Sequence, residues 1–425
     1  MGVAGALFEL VAPSRFGANF RRLLASSWTS NLGDGIAVAA GPLLVASQTH
    51  NAFLIASAAS LQWLAPLLFG LSAGALSDRL DRRLIVISAD LVRVGILALL
   101  ALSIVTHTVS IAVVLGLLFA LGVAEVFGDN TTATLLPMVV SRDDLVLAQP
   151  RLMFGFITVN RLIGPPVGAA LFAAGMVLPF AGQAVLVAAG VLFVSRLVLP
   201  PLQAPSTRTV RADVRAGFGW VRRHAAVRTL VLTIFVFNLT FGAAWSVLVL
   251  YSRDRLGLGA VGFGLITTVE AAGGLLGTAG YGRLVRHVSL GAIMRIGLVI
   301  ETFTHLVLAV TTSPAVALPT FFVFGAHAFV WSTTSATVRQ RAVPHGLQGR
   351  VNSVNTVGTF GGLVIGSGIG GLLAEHIGLT APFWFGFAGS ALFLVLLWRQ
   401  LAHIAHADSD ADADADADSD APHAP

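Results

Sequence analysis

Asp34, Glu125, Asp129 and Arg161 are ionisable, and each falls near the middle of a long apolar run. A charge at the centre of a bilayer costs roughly 3 kcal/mol on insertion scales, so one that is kept there is a functional candidate. Glu125 and Asp129 are four residues apart, which puts both carboxyl groups on one face of a helix. Two carboxylates so close oppose each other's ionisation, and an arginine opposite them favours it, which is the setting of a group that exchanges protons. The other reading is a structural ion pair of Arg161 with Glu125 or Asp129.

The second half of the chain carries Glu270, Glu301, His305 and His327 in its own apolar runs. Glu301 and His305, at i and i+4, read as a structural pair, which leaves His327 as the polar candidate for a binding cavity. Phe237, Phe241, Trp245 and Trp331 recur nearby and fit either ordinary packing or the wall of a site for a lipophilic ligand, neutral or cationic. The motifs of soluble catalysis are missing. With no lysine there is no nucleotide-binding Gly-x-x-x-x-Gly-Lys loop, and with no cysteine there is no thiolate site. No nucleophile is paired with a base, so no enzyme, cofactor or metal site is expected.

The elements that position these residues follow from composition. Of 425 residues 56% are hydrophobic and 11% charged, with mean hydropathy +0.83, far from the range of soluble domains. A membrane-crossing helix needs about 20 apolar residues, and twelve such runs follow one another. The expected fold is all-α: a cytoplasmic segment 1–21 with no cleavable signal, a six-helix bundle 22–199, a cytoplasmic linker 200–226, a second bundle 227–401 and a disordered Asp/Ala tail 402–425. The net charge of +5 combines 26 arginines with an acidic tail. Arginines mark alternate breaks between runs, and only Arg253 and Arg255 depart. By the positive-inside rule both termini are cytoplasmic, and nucleic-acid binding is excluded as the reason for the charge.

The two halves echo each other. "GPPVGA" from Gly164 has a counterpart in "GSGIGG" from Gly366, and "SAG" before one basic loop matches "TAG" before another, as in parallel six-helix repeats. Gly164, Pro165, Gly168, Gly366 and Gly370 are expected at close helix contacts that permit either sliding or static packing. "NLGDG" at 31–35 is expected to break the first helix.

The stretch "GALSDRLDRR", from Gly74 to Arg83, resembles the loop 2–3 signature of the major facilitator superfamily, Gly-x-Leu-x-Asp-Arg-x-Gly-Arg-Arg. Asp81 stands where that pattern usually has its second glycine, a form similar to the branch with the enterobactin exporter and macrolide efflux pumps. "LLPMVVSRDDLVLAQ" and "RQRAVPHGLQGRVNS" suggest the same branch, and Gly164-Pro165-x-x-Gly168-Ala169 resembles the end of the antiporter signature. The resemblance implies the major facilitator fold and a gating role for Gly74, Asp78, Arg79, Arg82 and Arg83. Asp78 would meet the start of helix 11, near Arg350 and Asn352, while the arginines pair with Asp78, Asp81 and Asp90 or with lipid headgroups. It also implies a cavity lined by helices 1, 4, 7 and 10.

The resulting expectation is a monomeric secondary transporter of the plasma membrane. It would be a proton-coupled exporter of a lipophilic drug, antibiotic or siderophore whose partners are that substrate, protons and lipids. A lysolipid flippase, an uptake permease, or a transport-inactive sensor or scaffold are the alternatives.

Overall fold

A computed structural model of the chain describes residues 9, 11–77, 79–200, 210–344 and 347–398. Asp78 and the acidic tail 402–425 lie outside the described residues. Those that are described form helices and connecting turns, with no strand. We label the long helices α1 (Gly17–Gln48), α2 (Ala52–Ser77), α3 (Arg82–Val105), α4 (Ile111–Ala133), α5 (Leu145–Ala174), α6 (Leu178–Val194), α7 (Ala225–Trp245), α8 (Ala260–Leu284), α9 (Leu290–Val310), α10 (Pro314–Ala342), α11 (Gln348–His376) and α12 (Ala381–Leu397). Among the described residues nine helices are long and apolar enough to cross a membrane; α6 and α12 are shorter apolar helices.

Local chemistry sets many of the boundaries. Asp81, Ser110 and Ser289 are N-caps whose side chains accept backbone N–H groups of α3, α4 and α9. Prolines open α6, α10 and α12, where the missing N–H costs nothing. The glycines of "NLGDG" do not break α1, which runs unbroken through them. They serve instead as flat surfaces: a Cβ on Gly33 would press on Gln183 of α6, and one on Gly35 would enter the backbone of Asn160 in α5. Within α5 the backbone widens to a π-helix over Phe156–Ile163, just before Pro165 and Pro166.

In the first half α1 packs on α5 and α6, α4 on α2 and α3, and α3 on α6. In the second half α7 packs on α11 and α12, α10 on α8 and α9, and α9 on α12. The halves meet where α2 lies on α11 and α5 on α8. One apolar core spans both halves at the arginine-poor end, joining Leu44, Ile55 and Phe180 to Tyr251, Phe321 and Phe383. At the arginine-rich end the cores are separate: Phe20, Val86 and Leu136 belong to one, Leu230 and Leu298 to another, and Val221 and Val351 to a third. The apolar core is therefore shared by the halves at one end, hereafter the closed end, and divided at the other. At the closed end Glu375 of α11 accepts the Ala52 N–H at 2.6 Å, a carboxylate from one half on the N-terminus of a helix from the other.

An amphipathic helix, Val210–Arg223, lies between the halves in sequence and packs on α11. Large apolar residues such as Leu91, Leu102 and Val395 are more than half exposed, as expected of helices whose outer solvent is hydrocarbon.

Candidate functional site

The carboxylate of Asp34 is closed inside the first half. It is held by the guanidinium of Arg93 from α3, whose other arm reaches Asp90 at 3.0 Å. Gln183 of α6 donates its amide to the same Asp34 oxygen at 3.3 Å. Arg93 is 1% exposed, so one permanent charge is shared by two buried carboxylates. The carboxylate oxygens of Asp34, Glu125 and Asp129 all lie within 4.8 Å of one another. Glu125 is half-buried and Asp129 exposed, so the group runs from the interior to an accessible surface. Such oxygens suit a proton or a hard cation, and Arg93 already supplies one positive charge beside them.

This adds a partner to the expected set. The charge on Asp34 comes from Arg93, which the sequence reading did not single out, and Arg161 sits instead in the π-helical stretch of α5, over the Phe156 ring at 5.5 Å. The acidic charges acting on Arg161 are Glu270 of α8 and Glu125 of α4, which places it between the halves. Arg93 had a readable signal: it is an intramembrane arginine three residues after Asp90. Gln183 had none.

Asp78 lies outside the described residues, and the described partners of the loop charges are these. Asp81 caps α3 through the Arg83 and Leu84 amides, and Asp90 belongs to Arg93. Arg82 donates to the Ser77 carbonyl at 3.0 Å, and Arg83 to the Ser195 carbonyl, so each caps the C-terminal end of a helix. Arg79 is exposed. The outlying Arg255 does the same for α9, donating to the carbonyls of Val310 and Thr311 at 3.0 and 3.1 Å, and Arg253 pairs with Asp254.

The glycines divide sharply. A Cβ on Gly164 would enter Gly35, one on Gly168 the Ile36 carbonyl, and those on Gly366 and Gly370 the α7 backbone at Leu239 and Ala243. Pro165 is buried beside them. Gly74 has open space around it, so no contact there requires glycine.

In the second half the aromatic residues form one continuous stack. Trp331 lies 5.3 Å from Phe237, Phe237 is 6.3 Å from Phe241, and Phe241 is 4.5 Å from Trp245. Trp245 donates its indole N–H to Glu270 at 3.1 Å. His327 is buried edge-on to Phe237 and 3.6 Å from a Glu301 oxygen, so it belongs with Glu301 rather than apart from it. The Glu301–His305 pair is also looser than the spacing suggested: His305 Nδ1 bonds the Glu301 main-chain carbonyl at 3.0 Å and lies 3.5 Å from its carboxylate.

The family model described as transmembrane secretion effector matches residues 10–423. The chain belongs to the major facilitator superfamily. It is 29% identical over 386 residues to the multidrug efflux pump Tap of Mycolicibacterium fortuitum, covering 85% of this chain and 90% of that protein. The fold matches a bacterial homologue of the iron transporter ferroportin in its inward-facing state, with TM-score 0.73, 18% identity and 91% of this chain and 98% of that one covered. It also matches the nucleoside transporter NupG, with TM-score 0.70, 14% identity and coverage of 91% and 98%. This superfamily member is a multi-pass membrane transporter and not an enzyme.

Proposed function

We propose that this transporter is a proton-coupled exporter of lipophilic compounds, crossing the plasma membrane twelve times as two six-helix bundles with both termini cytoplasmic. The observation that carries the reading is the carboxylate group Asp34, Glu125 and Asp129 gathered beside the permanent charge of Arg93. The likeness to an efflux pump supports the direction and the substrate class. With the cores apart at the arginine-rich end, substrate loads from the cytoplasm between the halves. Proton uptake by the carboxylates loosens their hold on Arg93 and Arg161, and the halves rock about their common core. Asp78 would latch the cytoplasmic end in the opposite state.

Everted membrane vesicles test this with ethidium as the probe. Energised vesicles should take up the dye, a protonophore should stop it, and Asp34→Asn or Glu125→Gln should reduce uptake to background. Uptake unchanged in both variants removes these residues from the mechanism, and uptake indifferent to the protonophore removes the proton.

A further inference from the structure

Glu301 of α9 is a buried carboxylate without a fixed counter-charge. It is 1% exposed, and neither carboxylate oxygen accepts a hydrogen bond among the described residues. The first half meets the same problem with Arg93; here the neighbours are two imidazoles, His305 and His327, at 3.5 and 3.6 Å. A buried charge is costly until something compensates it.

The space in front of Glu301 shows what could do so. A small cavity with room for about one water-sized group lies between α7, α9 and α12, lined by Glu301, Thr233, Phe237, Thr240, Ser390 and Phe393. The three hydroxyls give their protons to carbonyls of their own helices, at 2.8 Å for Thr233, 3.1 Å for Thr240 and 2.7 Å for Ser390. A hydroxyl that has donated keeps only lone pairs to offer. The polar lining of this cavity is therefore made of acceptors around a negative group, and its walls are aromatic rings.

The geometry points to a subsite for the ammonium head of an aromatic amine. An alkylammonium carries three donors and one positive charge, which is the complement of that lining, and its charge is also attracted to the Phe237 face. The cavity has room for a single water-sized group, so it takes the ammonium alone and leaves the body of the ligand on the Trp331–Phe237–Phe241 stack. Glu301 thereby selects cationic from neutral compounds.

This assignment deepens the exporter reading and rests on it for its role in transport, but it is tested by binding alone. The purified full-length protein is titrated with 1-naphthylmethylammonium and with neutral 1-naphthylmethanol, followed by calorimetry. The expected result is about a tenfold preference for the cation. Glu301→Gln removes the charge, and Ser390→Val fills the void with apolar bulk; each should bring the preference below about twofold. The two variants fail to fold for different reasons, so either one that folds decides. A folded variant that keeps the tenfold preference overturns the subsite, as does a parent protein with no preference. A parent protein that binds selectively but moves no compound across a membrane overturns the exporter reading and leaves the subsite in place.

Discussion

Arg93 is the charge on which the interior of the first half depends. Replacing it by methionine keeps the bulk but leaves Asp34 and Asp90 buried without a cation, so Arg93→Met should lower stability by about 3–5 kcal/mol. Thermal melts in detergent measure this, and adding Asp34→Asn and Asp90→Asn should restore much of the loss. A single variant that melts like the parent shows that the guanidinium is not the counter-charge. Outside the membrane, the Ser14 amide, 2.8 Å from Glu9, holds the Glu9 carboxyl below its ordinary 4.5, with Arg21 at 2.5 Å adding to the effect. A lowered carboxyl favours the folded contact above its ordinary range and loses it as pH falls through the lowered value. Exchange at the Ser14 amide should therefore gain protection from acid towards neutral pH, and Glu9→Gln should flatten that dependence. At this scale the sequence was half legible: charges inside apolar runs can be found by inspection. Their partners cannot, because Asp34 and Arg93 are 59 residues apart and nothing in either run names the other.

For single helices, sequence spacing located the long apolar segments well because hydrocarbon demands about 20 apolar residues whatever the neighbours are. It misread "NLGDG", since a glycine that weakens an isolated helix is retained where a neighbouring backbone fills the space, as Asn160 does at Gly35. The same contrast gives a prediction. Gly168→Ala drives a methyl group into α1 and should sharply lower both expression and melting temperature, whereas Gly74→Ala should leave both unchanged. Equal effects at the two positions would refute the packing argument. Asp81 also gains a role that its motif position concealed. As the N-cap of α3 it should cost about 1 kcal/mol when changed to alanine but only a few tenths when changed to glycine. Chemical denaturation of the two variants compares them directly, and a glycine variant as weak as the alanine one contradicts the capping role.

The whole molecule is asymmetric end to end, and this was the least legible level, since repeats and topology describe two halves without saying at which end they touch. A Cβ on Gly371 of α11 would come within 2.8 Å of the Ala56 Cβ of α2, at the closed end. The chain has no cysteine of its own, so Ala56→Cys with Gly371→Cys places a single pair close to disulfide distance. Oxidation should stop dye uptake by vesicles and reductant should restore it; transport undiminished by the crosslink would mean that this end never opens. The common core has a further consequence for a cell that carries the proposed exporter. Parting that core exposes apolar surface from both halves, so with both termini cytoplasmic, as proposed, the idle protein would favour the shape whose outer mouth is shut. In that orientation it would behave as a check valve: compounds outside would meet a sealed face, and a membrane crowded with idle copies would hold its ion gradient.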